Sequence, residues 1–128
     1  MREILFRGKR MDTGVFVEGG YFVLHGDEDM HIIVSEDGQY NRVEPETVSQ
    51  FTGVVDVNQQ KIFEGDIVKV FGVFGEIEVS DVVNWSKLFS MWHVGEFTML
   101  YNSENINRHQ IIGNIYDNQE LLEEIHEL

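Results

Sequence analysis

The sequence predicts a mainly β protein that ends in one short helix. Three observations carry this. Short runs of Val, Ile, Phe and Tyr recur between Gly, Asp and Asn, the pattern of many short strands joined by tight turns. Apolar and polar residues alternate in the middle of the chain, as they do on a half-buried strand. Only beyond Asp117 does an apolar stripe at helical spacing appear.

In chain order, Ile4-Leu5-Phe6 opens the strands. Asp12-Thr13-Gly14 reads as a turn into Val15-Phe16-Val17, and Gly19-Gly20 separates that segment from Tyr21-Phe22-Val23-Leu24. Gly26-Asp27-Glu28-Asp29 is polar enough for an exposed loop tip, His31-Ile32-Ile33-Val34 is the next strand, and Asp37-Gly38 is a two-residue hairpin signal. Pro45-Glu46-Thr47-Val48 turns into a short strand, with Glu46 and Thr47 placed to cap backbone groups. From Asp66, residues Ile67, Lys69 and Phe71 share one side while Asp66, Val68 and Val70 share the other. Gly72-Val73-Phe74-Gly75 breaks the run. Ile77, Val79 and Val83 then face the core with carboxylates toward water, and Leu88 to Val94 and Phe97 to Tyr101 read as further strands around Gly95-Glu96. At the end, Asp117 with Glu120 resembles a capping box, followed by the stripe Leu121, Leu122, Ile125 and Leu128. Glu127 and the terminal carboxylate sit at the negative end of that helix's dipole, so its last turn is expected to fray. A helix this short needs a sheet or a neighbouring subunit to dock on.

Composition narrows the function classes. Of 128 residues, 42% are hydrophobic and 12% aromatic, the content of a chain that folds around a core, and no repeat or linker divides it, so one domain over 1–128 is expected. Without cysteine there is no disulfide or thiolate metal site. No apolar run approaches the roughly 20 residues that span a bilayer, and no leader is visible, so a soluble cytoplasmic protein is expected. The net charge is −14 and unevenly placed: Arg2, Arg7, Lys9 and Arg10 against Glu3 give the first ten residues +3, leaving −17 on the rest. Such a surface repels phosphate backbones, which disfavours nucleic acid as a partner. It reads first as a solvated acidic surface, and second as a patch that occupies another protein's nucleic-acid site.

Three blocks are similar to the YopX family of small phage and prophage proteins. They are Arg2-Glu3-Ile4-Leu5-Phe6-Arg7-Gly8-Lys9 with Thr13-Gly14; the stretch from Val43 to Val68, with Pro45-Glu46-Thr47-Val48-Ser49-Gln50-Phe51-Thr52-Gly53 and Ile62-Phe63-Glu64-Gly65-Asp66-Ile67-Val68; and Ile111-Ile112-Gly113-Asn114-Ile115-Tyr116-Asp117-Asn118 with Glu120-Leu121-Leu122. Together they span about half the chain in matching order. Gln59-Gln60 stands where members often have a glycine turn, Ser49 where glycine is common and Gln119 where proline is usual; these departures concern turn geometry. The resemblance implies strongly bent antiparallel sheets forming a pseudo-barrel with a C-terminal helix, in a phage-encoded protein of unknown function that can assemble into homo-oligomers. It implies no catalytic residues. Residues 72–105 match no family motif and are where a member-specific function is expected.

Chemistry-bearing constellations are few. Glu64-Gly65-Asp66 brings two carboxylates close enough to bind a cation or share a proton, but the simpler reading is a bend at Gly65 with the carboxylates capping backbone N–H groups. His25, His31, His93, His109 and His126 show no ligand spacing and read as surface residues, although His25 and His31 could meet around one hairpin. Ser49 and Thr52 lack an activating base, and neither a nucleophile elbow nor a phosphate loop is present, so no catalytic residue and no cofactor are implied. Trp85 and Trp92, with Phe71, Phe74, Phe89, Met91 and Tyr101, form an aromatic-rich middle expected to be mostly core. Phe74, between glycines, is the one expected to be exposed, and Phe74, Trp85, Trp92, Leu121, Leu122 and Ile125 are the interaction candidates. The expectation is a non-enzymatic phage accessory protein acting through protein–protein contacts, as a homo-oligomer or with a host or phage protein. The alternatives are an acidic decoy of a host nucleic-acid-binding protein and weak nucleic-acid binding through residues 2–10.

Overall fold

The structure is a computed structural model that describes residues 2–72, 74–96, 98–100 and 108–126, without the side chain of Glu78. The chain divides into two compact units, Met1–Phe51 and Thr52–Leu128. Within the described residues, a strand-rich chain with one C-terminal helix bears out the mainly β expectation.

The first unit contains β1 (Phe6–Lys9), β2 (Phe16–Leu24), β3 (Met30–Val34), β4 (Tyr40–Arg42) and the beginning of β5 (Ser49–Val55). Its ladder runs β4-β3-β2-β1-β5, antiparallel throughout, over a core of Ile32, Ile33, Val43 and Phe51. The first strand begins at Phe6 rather than Ile4, and Ile4 is exposed. Gly19-Gly20 does not separate two strands but lies inside β2, because a side chain at residue 19 has no room. A Cβ there would sit 1.9 Å from the Val34 carbonyl oxygen of β3. Close backbone approach is what a strand-interior glycine permits. Asp37-Gly38 forms the predicted turn, with Gly38 N–H donating to Ser35 O at 2.8 Å. Pro45–Thr47 is a single 3₁₀ turn. The Thr47 hydroxyl donates to Glu44 O at 2.7 Å and accepts from Lys9 N–H at 2.9 Å, so the expected capping role of Thr47 is realised and reaches β1.

The second unit contains the rest of β5, β6 (Lys61–Phe63), β7 (Asp66–Phe71), β8 (Ile77–Ser86), β9 (Met91–Val94), β10 (Thr98–Met99), β11 (His109–Asn114) and α1 (Gln119–His126). The order is β10-β9-β8-β7-β11, with β6 beside β5. Val54, Ile62, Val68, Val70, Val83, Val94 and Leu100 form its core. Two irregularities bend this sheet. One lies opposite Val70/Phe71, where β8 carries an extra residue between Ile77 and Val79, and one lies between Ile111 and Gly113 of β11. The first explains why Ile77 is exposed although alternation placed it in the core: it pairs beyond the bulge, beside the Gly72–Gly75 turn. Residues 87–90 form a turn, so β9 starts at Met91 rather than Leu88. Of the strand expected from Phe97 to Tyr101, Thr98–Met99 is present, and Phe97 and Tyr101 lie outside the described residues. The ladders are open, ending at β4, β6, β10 and β11, and no closed barrel forms among the described residues.

The helix begins one residue later than the capping-box reading placed it. Asn118 O accepts from Leu121 N–H at 3.0 Å, while the Asn118 side chain turns back to accept from Asn114 N–H at 3.1 Å. Asp117 Oδ2 accepts from the Asn114 side chain at 3.2 Å. The expected fraying of Glu127 and Leu128 lies outside the described residues. No described helix is long and apolar enough to cross a membrane.

The β5–β6 turn carries one non-glycine residue in the left-handed region, Gln59 at φ +64°. A side chain in that region costs about 1–2 kcal/mol, partly offset by the extra freedom glycine has when unfolded. Gln59→Gly is therefore expected to raise stability by about 0.5–1 kcal/mol in urea unfolding. A loss of stability would contradict this geometry.

Candidate functional site

The carboxylates of the central motif hold backbone. Asp66 is buried and its Oδ2 accepts from Phe63 N–H at 2.8 Å, closing the bend at Gly65, whose φ is +89°. A Cβ on Gly65 would also come within 3.3 Å of the Tyr116 ring. Glu64 is half-buried, and burial pushes its carboxyl above the ordinary range. The Ser49 hydroxyl donates to Thr47 O at 3.1 Å, and the Thr52 hydroxyl to Ile62 O at 2.7 Å. Among the described residues no group of three His, Cys, Asp or Glu side chains is arranged to hold a metal ion.

Sequence reasoning missed Asp56, which is fully buried. Its Oδ1 accepts from Asn58 N–H at 2.8 Å and Gln60 N–H at 3.0 Å, and its Oδ2 accepts from Ile111 N–H of β11 at 3.0 Å. An Asp opening a polar turn between two apolar runs is the signal of the first pair. No local signal announces the third.

The histidines do not all lie at the surface. His25 is exposed and faces Asp29 at 3.2 Å, while half-buried His31 meets the Tyr21 hydroxyl at 2.6 Å, so the two do not share a partner. His93 and His109 are buried. Burial pushes the His109 imidazole below the ordinary range, because the charged ring loses its hydration. The unfolded chain then binds the proton more readily than the folded one. The stability held by neutral His109 is complete above the unfolded value near 6.5 and is lost as pH falls through it. Melting curves between pH 7.5 and 5 are expected to show that fall, and His109→Gln to flatten it. A variant as pH-sensitive as the parent would contradict the assignment.

Around β8 and β9, polar side chains line a cavity of about 600 Å³. Asp81, Asn84, Ser86, His93, Glu96 and His126 contribute to its wall. His126, from α1, lies with its Nε2 2.9 Å from Asp81 Oδ1. Gly95, at φ +66°, leaves space for that carboxylate, since a Cβ there would sit 2.8 Å from Asp81 Oδ2. Asn84 Nδ2 donates to Val82 O at 3.2 Å and Gly95 O at 2.9 Å, which fixes the amide. His93 Nδ1 lies 3.1 Å from Glu96 O; a carbonyl only accepts, so Nδ1 carries the proton and Nε2 bears the lone pair. That Nε2 is buried and meets no hydrogen-bond partner among the described residues.

Beside this cavity the surface is apolar. Leu88 is 83% exposed, Phe89 61% and Trp85 43%, so Trp85 and Phe89 are surface residues and not core. They sit at the end of the β8–β9 hairpin, past Val82, where the pairing of β8 with β7 stops. Phe89 stacks on His93 with ring centroids 6.0 Å apart, and Trp85 meets Trp92 edge-on at 5.0 Å. Trp92 itself is half-buried and packs against the core. Phe74 is 94% exposed at the β7–β8 turn, where the glycines placed it. Leu121, Leu122 and Ile125 are each half-buried, on a helix with no fully buried residue. The structure thus brings Trp85 and Trp92 together and leaves Phe74 at the far end of β8.

No curated protein matches the chain. The model of the family described as YopX protein matches residues 5–123, which takes in the stretch 72–105 that carries no familiar motif. With nearly the whole chain matched, the protein belongs to the YopX family.

Proposed function

We propose that the protein is a phage- or prophage-derived accessory protein of the bacterial cytoplasm that works by contacts with other proteins, a second copy of itself first, and not by catalysis. One observation carries this reading: Trp85, Leu88 and Phe89 are large apolar side chains left exposed within one hairpin, β8–β9. Apolar surface of this kind gains free energy when a partner covers it. Charge supports a second copy as that partner. The +3 segment at residues 2–10 and the acidic remainder of the chain attract across two molecules, whereas the same acidity opposes nucleic acid. An isologous dimer needs only that the same patch be self-complementary.

Light scattering at high micromolar concentration, in low and high salt, tests this. At least twice the chain mass of 14.9 kDa is expected in low salt, with weaker association in high salt. The mass of one chain under both conditions would overturn the self-association.

A further inference from the structure

The geometry points to the cavity between β8, β9 and α1 as a binding site for a guanidinium or primary ammonium group, from an arginine side chain or a free polyamine. This is separate from the association proposed above, since it uses the polar wall and not the apolar hairpin end. The fixed side chains of the wall are acceptors. Asn84 spends its amide protons on two backbone carbonyls, so only its oxygen is available. His93 spends its ring proton on Glu96 O, and its remaining nitrogen is buried without a hydrogen-bond partner among the described residues. Asp81 receives His126 and Val82 N–H on Oδ1, which leaves Oδ2. Glu96 adds a second carboxylate at the exposed rim. The Ser86 hydroxyl oxygen accepts from Phe89 N–H at 3.3 Å, and its own proton and that of the Thr98 hydroxyl are the mobile donors of the wall, on groups that also accept.

A wall of acceptors is matched by a ligand rich in N–H donors, and two carboxylates favour one that is cationic. The net charge of −14 draws cations toward the surface as a whole. At about 600 Å³ the cavity has the size of a small-molecule site, more than enough for a guanidinium and its alkyl stem. The buried lone pair on His93 is the independent observation. A buried acceptor without a donor is costly, and a cation next to its ring relieves that cost.

The test is an NMR titration of the amides between residues 81 and 96. The probes are agmatine, spermidine and N-acetyl-arginine methylamide, with acetate as the anionic control at matched ionic strength. Saturable shifts are expected from the cationic probes and none from acetate, and Asp81→Asn is expected to weaken binding roughly tenfold, the scale of one charge-assisted hydrogen bond. Should Asp81→Asn disturb the fold, Glu96→Gln carries the comparison, because its side chain is exposed. Tighter binding of the arginine amide than of spermidine identifies a peptide side chain as the source, and the reverse order identifies a polyamine. Linear, unsaturated shifts with every cation, or equal affinity in the parent and both variants, would overturn the proposal.

Discussion

Replacing Asp56 by alanine is expected to cost about 3 kcal/mol of stability, the scale set by removing one buried acceptor from several backbone donors at once. The carboxylate is fully buried and serves three N–H groups, those of Asn58, Gln60 and Ile111. Asn58 and Gln60 are exposed, so water can replace part of what they lose; Ile111 is half-buried and packs against the core, where replacement is harder. Asp56→Asn separates the two contributions. Its amide oxygen can still serve the turn, but its NH₂ would face the Ile111 N–H, donor against donor. A loss of about 2 kcal/mol is expected for Asn, smaller than for Ala but well above a surface change. Trp85 and Trp92 lie in the same unit, so fluorescence-monitored urea unfolding reads the effect directly. A loss below about 1 kcal/mol for Ala would mean that the three bonds do not hold this unit together.

The second large effect belongs to the other unit. Gly19→Ala places a methyl group 1.9 Å from the Val34 carbonyl oxygen, and backbone cannot swing aside as a side-chain tip can. The β2–β3 ladder must open at that point, so a loss of about 3 kcal/mol or more is expected, at the upper end for overpacking. Its neighbour is the control. A Cβ on Gly20 meets nothing within 4 Å, so Gly20→Ala is expected to lie within about 0.5 kcal/mol of the parent. Loss of dispersed amide signals from residues 6–42 at moderate urea reads the first unit separately. Similar behaviour of the two alanine variants would contradict the close approach.

These two positions also show how far the sequence is legible. The strands were readable where alternation or turn chemistry is local, as in Asp37-Gly38 and in Asp66–Phe71. Gly19-Gly20 was misread as a break because an alternation rule cannot tell a turn glycine from one that admits a neighbouring strand; the difference lies in Val34, far along the chain. Ile77 was misplaced because a bulge changes which residues share a face, and the bulge is a property of the pair β7–β8. At the helix, Asp117 and Asn118 both suit an N-cap, and only the folded turn from Asn114 decides between them. The motif around Glu64 and Asp66 was legible as a bend with a capping carboxylate, since that bond spans three residues. The cavity was not: Asp81, His93 and His126 are spread along the chain and converge only through strand pairing and the helix return. Exposure of Phe74 follows from its flanking glycines, whereas the exposure of Phe89, one of an aromatic group expected to be mostly core, has no local signal.

The central claim is that the end of the β8–β9 hairpin is a contact surface for a second copy. Sedimentation equilibrium of the parent and of the double variant Leu88→Ser, Phe89→Ser tests it most directly, because both side chains are exposed and their loss leaves the core intact. The parent is expected to self-associate in the micromolar range and the double variant to sediment as a folded single chain, with the dissociation constant raised at least about tenfold. Equal association of the two proteins, or a parent that is a single chain at every concentration, would contradict it.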